Sequence, residues 1–296
     1  MKKLNVIIPF FSVNSDITTI DRIFYDMYSD TMYLSLFKDD VQLAGVCGNF
    51  WNAKMARRSY IRNLTDEREP LSNIRDFKKW IESSHLKVFL DLSNVYFDDK
   101  MTYAYYDNCI LEVFQGSHSH AIVGTDLAHD YIKNNFTYQL VEGSVCKYTY
   151  GDKPHFKDIA YREVTDLANV KKPENTIIVI NDYCDGCENE LKHIYQQSKQ
   201  NRDYKPPRDF NNKYEYRGIF PHMCCNKSAQ LAAPIKTQLE FLREDLCDIA
   251  YAKIANYPFY TVSDYVNLLT SIFVKEPFRE VARNLIMHVY EERMMN

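Results

Sequence analysis

The chain has 296 residues, a length that suits one α/β barrel better than a small compact domain, because such barrels commonly contain roughly 250 residues. Its formal net charge of −4 argues against a protein that wraps duplex nucleic acid, since such proteins neutralise many phosphates with lysine and arginine. The sequence has no run of about 20 apolar residues, so no segment is predicted to span a membrane.

Short β-rich runs alternate with helical segments, a pattern typical of parallel strands joined by crossover helices. The first run, 4–10, follows two lysines and resembles the core of a signal peptide, but Asn5 and Pro9 interrupt it and no small-residue cleavage pattern follows. We interpret it as a buried strand of a soluble, cytoplasmic protein. The predicted strands are 4–10, 41–48, 86–92, 121–124, 138–145, 176–181 and 250–255.

Amphipathic helices are predicted between and after these strands, and Thr125 or Asp126 is expected to cap one of them. The predicted helices are 76–83, 100–114, 126–135, 188–200, 236–249, 262–273 and 277–292. The segment 159–164 fits a strand or a helix equally well, and as a strand it would be the eighth that a closed barrel needs. The sequence therefore predicts a single (β/α) TIM-type barrel domain over 1–296, incomplete or distorted without that strand. A long exposed loop is expected at about 200–220 and terminal helices at about 262–292.

Four of the eight cysteines are grouped, and without a secretory signal we expect reduced thiols rather than disulfides. Cys184 and Cys187 form a C-x-x-C pair after the run 176–181, at the carboxyl end of a predicted barrel strand, where barrel active sites are built. Cys224 and Cys225 supply a third and a fourth thiolate. Four thiolates suit zinc, and three suit an iron–sulfur cluster with an open iron position. Free thiols and a redox pair are the alternatives.

Polar residues end the predicted strand 138–145 on the same rim. Alternation along a strand would put Ser144 and Cys146 on one face, and Lys147 can anchor an anionic group. Asn181 ends the strand that leads to the cysteines. We therefore take Ser144, Lys147 and Asn181 as candidate catalytic residues, with a purely structural role as the alternative.

The loop after the second predicted strand contains Trp51, Asn52 and Arg57. An exposed tryptophan beside an amide and a guanidinium is a suitable ligand-binding surface, so these three are candidate cofactor-binding residues. Packing of Trp51 in the core is the alternative. The chain has no phosphate-binding loop, dinucleotide fingerprint, nucleophile elbow or H-E-x-x-H motif, which disfavours those enzyme classes.

The tetrapeptide Ser-His-Ser-His at 117–120 resembles a metal or base motif. It lies where a helix returns to a strand, at the end of the barrel opposite the usual active-site face. We therefore predict a solvated loop rather than a site.

Several short motifs together resemble a group of uncharacterised bacterial proteins that are related to radical-SAM-type barrels and to the collagenase-like peptidase family. The motifs are GVCGNFWN at 45–52, DLSN at 91–94, YDN at 106–108, GSVCK at 143–147 and VINDYC at 179–184. The resemblance implies a barrel with cysteines after a late strand. It also implies an iron–sulfur cluster, because several collagenase-like members hold one and act in RNA or quinone hydroxylation rather than proteolysis.

The chain departs from that group at three points. It lacks the C-x-x-x-C-x-x-C motif that binds the S-adenosylmethionine cluster, so radical chemistry of that type is not supported. Its paired cysteines are separated by two residues where the related group has three. At 253–257 it has Lys-Ile-Ala-Asn-Tyr in place of Lys-Ile-Glu-Gly-Arg.

The sequence thus favours an iron–sulfur barrel enzyme, or an accessory protein derived from one, that acts on an unknown small molecule or modified macromolecule. The alternative is a non-catalytic binding or scaffold protein with a structural zinc site or free thiols. For such a protein the 23 tyrosines and the polar loop 200–220 would supply contact surface.

Overall fold

The computed structural model describes residues 3–10, 16–50, 53, 55, 68–94, 97–151, 153–164, 172–180, 249–254 and 262–295. Within these ranges eight parallel strands close into a barrel in chain order, and the last strand pairs with the first. The strands are β1 (Leu4–Phe10), β2 (Val41–Gly48), β3 (Lys87–Leu92), β4 (Ser119–Val123), β5 (Gln139–Glu142), β6 (Tyr161–Val164), β7 (Thr176–Ile180) and β8 (Tyr251–Ile254). The predicted α/β barrel is confirmed.

The ambiguous segment 159–164 contains the strand that completes the barrel, β6. Its side chains follow the period of two that a strand requires. Tyr161 packs on the cluster inside the barrel, and Val164 packs in the core outside it. Glu163 shares the inner face with Tyr161, and Arg162 shares the outer face with Val164, so each face of this short strand carries one charged residue.

Helices cover the outside of the barrel and follow the last strand. Those in the described ranges are α1 (Asp16–Ser29), α2 (Leu71–Ser83), α3 (Asp99–Thr102), α4 (Tyr105–Phe114), α5 (Asp126–Asn135), α6 (Cys146–Tyr150), α7 (Val262–Phe273) and α8 (Arg279–Met295). Both ends of α5 and α7 match the prediction, and the Thr125 hydroxyl caps α5 by accepting a hydrogen bond from the Ala128 amide at 3.2 Å. The predicted helix 100–114 is wrong in one respect, because Tyr103 and Ala104 divide it into α3 and α4.

The first helix, α1, is absent from the predicted elements, although Ile20, Phe24 and Met27 follow helical spacing and are buried. It packs with the two terminal helices, α7 and α8. Phe24 contacts Phe273 of α7 with ring centroids 5.2 Å apart. Among the described segments, none forms a helix long and apolar enough to cross a membrane.

Two apolar clusters lie on the two sides of the barrel wall. The outer cluster joins the strands to the helices, and Val6, Ile8 and Phe10 of β1 contribute to it. The inner cluster fills the barrel and includes Ile7, the residue between Val6 and Ile8. Each large apolar side chain buried in this way contributes about 1.5–3 kcal/mol relative to exposure.

Inside the barrel the side chains form layers. Following the strand pairing around the barrel places residues from alternate strands at one height, as in other barrels of this class. The central layer is apolar and consists of Ile7, Phe89, Val141 and Ile177, all of them fully buried.

Polar residues lie above and below this central layer. Toward the carboxyl ends of the strands the next layers hold Cys47, Ile122, Glu163 and Lys253, then Pro9, Asp91, Gly143 and Val179. Toward the amino ends they hold Gly45, His120, Tyr161 and Tyr251, then Asn5, Lys87, Gln139 and Asn175. The apolar layer therefore separates two polar groups, one at each end of the barrel interior.

Candidate functional site

The carboxyl-end cluster consists of Asn49, Asp91, Ser93, Ser144, Glu163 and Lys253. Two of its members are oppositely charged neighbours in one layer, Glu163 of β6 and Lys253 of β8. Their side chains are 0% and 1% exposed, and the Lys253 ammonium donates to Oε1 of Glu163. The amide of Ser144 donates to Oε2 of Glu163 at 3.0 Å. Both oxygens of the buried carboxylate are thus hydrogen-bonded, which offsets part of the several kcal/mol that each desolvated charge costs.

Asp91 lies in the layer above this pair, at the end of β3. Its Oδ1 accepts hydrogen bonds from the hydroxyl of Ser93 at 2.5 Å and from the Ser93 amide at 3.2 Å. The amide side chain of Asn49 donates to the backbone carbonyl of Asp91 at 3.1 Å. Among the residues that the structure describes, none donates to Oδ2 of Asp91. One carboxylate oxygen is therefore held in place while the other can accept a proton or a hydrogen bond from a ligand.

The cluster is closed on the side of β4 and β5. A Cβ added to Gly124 would lie 2.6 Å from Cγ2 of Val145, and one added to Gly143 would lie 3.1 Å from Cγ2 of Ile122. The Cβ of Ser93 is within 3.3 Å of both positions. Small residues are needed here because Ser93 and Val145 occupy the space above these strands. The described residues therefore leave no room for a ligand directly above β4 and β5.

Ser144 and Lys147 are the predicted site residues that lie in the described ranges. Ser144 is buried in the carboxyl-end cluster, and Lys147 is half-buried on α6. The remaining predicted site residues, Trp51, Asn52, Arg57, Asn181, Cys184, Cys187, Cys224 and Cys225, lie outside the described ranges. The structure thus brings Ser144 together with charged residues that were not predicted.

The predicted strand 138–145 is too long, because β5 ends at Glu142 and α6 begins at Cys146. The expected common face of Ser144 and Cys146 is therefore wrong, since the chain turns into a helix between them. The Cys146 thiol donates to the Val123 carbonyl at 3.6 Å. Burial raises the pKa of this thiol well above its ordinary value, with a smaller contribution from nearby carboxylates, so it is not a thiolate at neutral pH.

Glu142 is buried but does not belong to the carboxyl-end cluster, because its side chain lies on the outer side of the wall. Its Oε1 accepts from Nε of Arg162 at 2.8 Å. Its Oε2 accepts from the amides of His155 and Phe156, each at 2.9 Å. All these contacts fasten the segment between α6 and β6 to the barrel. Glu142 is therefore a structural anchor.

Glu163, Lys253 and Asp91 were missed as site residues. The available signal was charged residues within a short strand, as in Tyr-Arg-Glu-Val and Tyr-Ala-Lys-Ile, where a strand covered on both faces should be apolar. Opposite charges on two such strands indicate a pair. The sequence does not show that Glu163 and Lys253 lie at the same height.

The predicted solvated loop at 117–120 is wrong for half of its residues. Ser117 and His118 are exposed, but Ser119 and His120 belong to β4 and are buried. The strand begins two residues earlier than predicted, which turns His120 into the barrel. Its location at the amino end of the strand agrees with the prediction.

The predicted metal ligands lie outside the described ranges, and the described residues contain no group of three or more His, Cys, Asp or Glu side chains that could hold a metal. Cys47, Cys109 and Cys146 lie apart, on β2, α4 and α6. Because Cys184, Cys187, Cys224 and Cys225 fall outside the described ranges, the metal site stays a prediction.

Comparisons with known protein families, with curated proteins and with solved structures gave no match for this chain. The resemblance to the collagenase-like family therefore also stays a prediction. Fold and site define the class: an α/β barrel with a buried, charged cluster at the carboxyl ends of its strands.

Proposed function

We propose that this chain is a barrel enzyme whose active site is built on the carboxyl-end cluster. The observation that carries the proposal is the Glu163–Lys253 pair, which is fully buried in a layer that otherwise holds Cys47 and Ile122. A buried ion pair contributes little net stability compared with apolar side chains of similar size. Its place at the end where barrel enzymes bind their substrates supports a chemical role.

The cluster is suited to proton transfer on a small polar molecule. The Lys253 ammonium is held by Glu163 and supplies a fixed positive charge, which stabilises negative charge that develops on a substrate oxygen. Oδ2 of Asp91, one layer above, can accept a proton. The Asp91 carboxylate and the Lys253 ammonium lie in adjacent layers. A proton acceptor and a fixed cation so placed favour acid–base chemistry next to a carbonyl or carboxylate group of the substrate.

A second part of the proposal concerns the cysteines. The chain leaves β7 at Ile180, four residues before Cys184, and β7 pairs with β8 so that Val179 lies beside Lys253. The described chain thus leaves β7 at the end of the barrel that holds the pair, and this supports the second part of the proposal. We propose that Cys184 and Cys187, with Cys224 and Cys225, ligate an iron–sulfur cluster, a group that supplies electron transfer or an open iron position. Reduced thiols of this kind fit a cytoplasmic protein.

Ligand binding tests the first part without knowledge of the reaction. A panel of small oxo acids, hydroxy acids and amino acids is added to the protein, and the unfolding temperature is measured. We expect at least one class to raise it in a saturable way, since a ligand that binds only the folded state stabilises it. Asp91→Asn should abolish the shift, while Asp39→Asn, at an exposed position, should retain it. A shift that survives Asp91→Asn would contradict the proposed site.

Anaerobic purification followed by iron, sulfide and zinc analysis tests the second part. We expect iron and sulfide together, with both lost in Cys184→Ser and Cys187→Ser and retained in Cys109→Ser, a half-buried thiol of α4. Zinc without sulfide, with loss of folding in the serine variants, would instead support a structural zinc site in a binding or scaffold protein. A folded protein without metal would exclude both metal sites.

A further inference from the structure

The amino-end cluster consists of Lys87, His120, Tyr161 and Tyr251, below the apolar central layer. The Lys87 ammonium donates to the Tyr251 hydroxyl, and Lys87 is half-buried. Throughout the described ranges no carboxylate pairs with Lys87. This end of the barrel interior thus holds a positive charge whose hydrogen-bond partner is a neutral group.

His120 is the second unusual member of the cluster. It is 0% exposed, and its ring stacks on Phe89 with centroids 4.3 Å apart and planes at 18°. Tyr161 lies against it at 5.6 Å. Within the described part of the chain neither ring nitrogen has a hydrogen bond of ordinary geometry, although the backbone of Val88 and of His118 and the side chain of Gln139 lie close enough to raise its pKa. A fully buried imidazole with two unpartnered nitrogens is costly unless something else satisfies them.

The other groups do not balance the charge of Lys87. Burial raises the pKa of both Tyr161 and Tyr251, so both phenols are neutral at neutral pH. Burial, and then the charge of Lys87, lower the pKa of His120 to about 4, so the imidazole is neutral as well. The amino-end cluster therefore has a net positive charge from Lys87 and hydrogen-bonding groups from three neutral rings.

The cluster opens to solvent through polar residues. Gln139 and Asn175, in the layer of Lys87, are exposed, and Asn5 of the same layer is half-buried. A hydrated ion can approach through such a mouth, whereas Lys87 repels a cation. Among the described residues, the amino-end cluster contains no negative charge to balance Lys87.

We propose that this amino-terminal mouth is a binding site for a small oxyanion, either free phosphate or the phosphate group of a metabolite. Lys87 supplies the charge-assisted hydrogen bond, and the hydroxyl of Tyr251, which accepts from Lys87 and from Tyr161, can donate its own proton as a second hydrogen bond. The site lies at the opposite end of the barrel from the carboxyl-end cluster and does not depend on the function proposed there.

Calorimetric titration with inorganic phosphate and with glycerol phosphate, at constant ionic strength, tests the site. We expect saturable binding of one anion per chain, and a loss of about tenfold or more in affinity in Lys87→Met, because the charge-assisted bond is removed. Lys87→Arg should retain binding. Lys79→Met is the matched control, since Lys79 is a lysine with a 75% exposed side chain on α2. Tighter binding of glycerol phosphate than of phosphate would identify the metabolite as the source.

Two results would overturn the proposal. One is the absence of saturable binding, because any effect of phosphate on the protein would then be the general effect of a salt. The other is saturable binding that Lys87→Met leaves unchanged, which would place the anion elsewhere. If Lys87→Met does not fold, the pKa of His120 in the unchanged protein still tests the site. An anion beside Lys87 must raise the pKa of His120, which NMR measures, and a constant pKa at saturating phosphate would contradict the site.

Discussion

The two ends of the barrel interior handle buried polar groups in different ways. At the carboxyl end Glu163 and Lys253 are both charged and neutralise each other. At the amino end Lys87 is charged, while His120, Tyr161 and Tyr251 stay neutral because burial shifts their pKa values. A protein interior tolerates an ionisable group either by pairing it or by removing its charge. The comparison teaches that one barrel uses both solutions, separated by a single apolar layer.

The largest expected effect is at the carboxyl end, where Glu163→Leu removes the carboxylate that neutralises the buried Lys253 ammonium. We expect the free energy of unfolding to fall by about 3–5 kcal/mol. Urea denaturation measures it. Asp76→Asn is the control, because the exposed pair of Asp76 with Lys79 contributes at most about 1 kcal/mol. A loss for Glu163→Leu no larger than that of the control would remove the contrast between the two ends.

The amino end should respond to acid. The pKa of His120 is about 4 in the folded protein and about 6.5 when unfolded, so the unfolded chain binds this proton first as the pH falls. The contribution of His120 to the free energy of unfolding is therefore fully present above about pH 6.5 and is lost as the pH falls toward 4. The expected change is about 3 kcal/mol. The charged or titratable groups that face His120 are Lys87 of β3, Tyr161 of β6 and Tyr251 of β8. Burial raises the pKa of both phenols, so neither phenol titrates in this range.

The measurement is the free energy of unfolding between pH 4 and 7 for the unchanged protein, His120→Phe and His118→Gln. The unfolding free energy of the unchanged protein should fall relative to that of His120→Phe as the pH falls, because the phenylalanine has no proton to bind. His118→Gln should follow the unchanged protein, since His118 is exposed. Parallel curves for all three would mean that His120 keeps an ordinary pKa.

A smaller effect separates the inside of the barrel wall from its outside. Glu142→Gln weakens the contact with Arg162 and the two amide contacts on the outer face, so stability should fall by about 2 kcal/mol. Because Glu142 lies outside the carboxyl-end cluster, the affinity for a ligand found in the panel should not change. Thermal unfolding with and without that ligand measures both quantities. A loss of affinity would place Glu142 in the site.

Local patterns predicted most of the barrel. The strands β1 and β2 and the helices α5 and α7 have the predicted bounds, because continuous apolar runs and helical spacing are properties of short segments. The strand β6 remained ambiguous because four residues with two charges do not define a period.

The charged partners could not be predicted in the same way. Glu163 and Lys253 are 90 residues apart, and their contact depends on the register of every strand between them. The same holds for His120, whose environment is made by β3, β6 and β8. Ser144 was predicted from its position at the end of the predicted strand 138–145. Its contact with Glu163 is made by its backbone amide, so the identity of the side chain gives no sign of it.

The central claim is that the Glu163–Lys253 pair is kept for chemistry rather than for stability. The most direct measurement is urea denaturation of the double variant Glu163→Leu with Lys253→Met, which replaces both charges by apolar side chains of similar size. We predict a free energy of unfolding equal to that of the unchanged protein or higher by about 1–4 kcal/mol, although Glu163→Leu alone is destabilising. A double variant as unstable as Glu163→Leu would show that the pair holds the barrel together, and would contradict the claim.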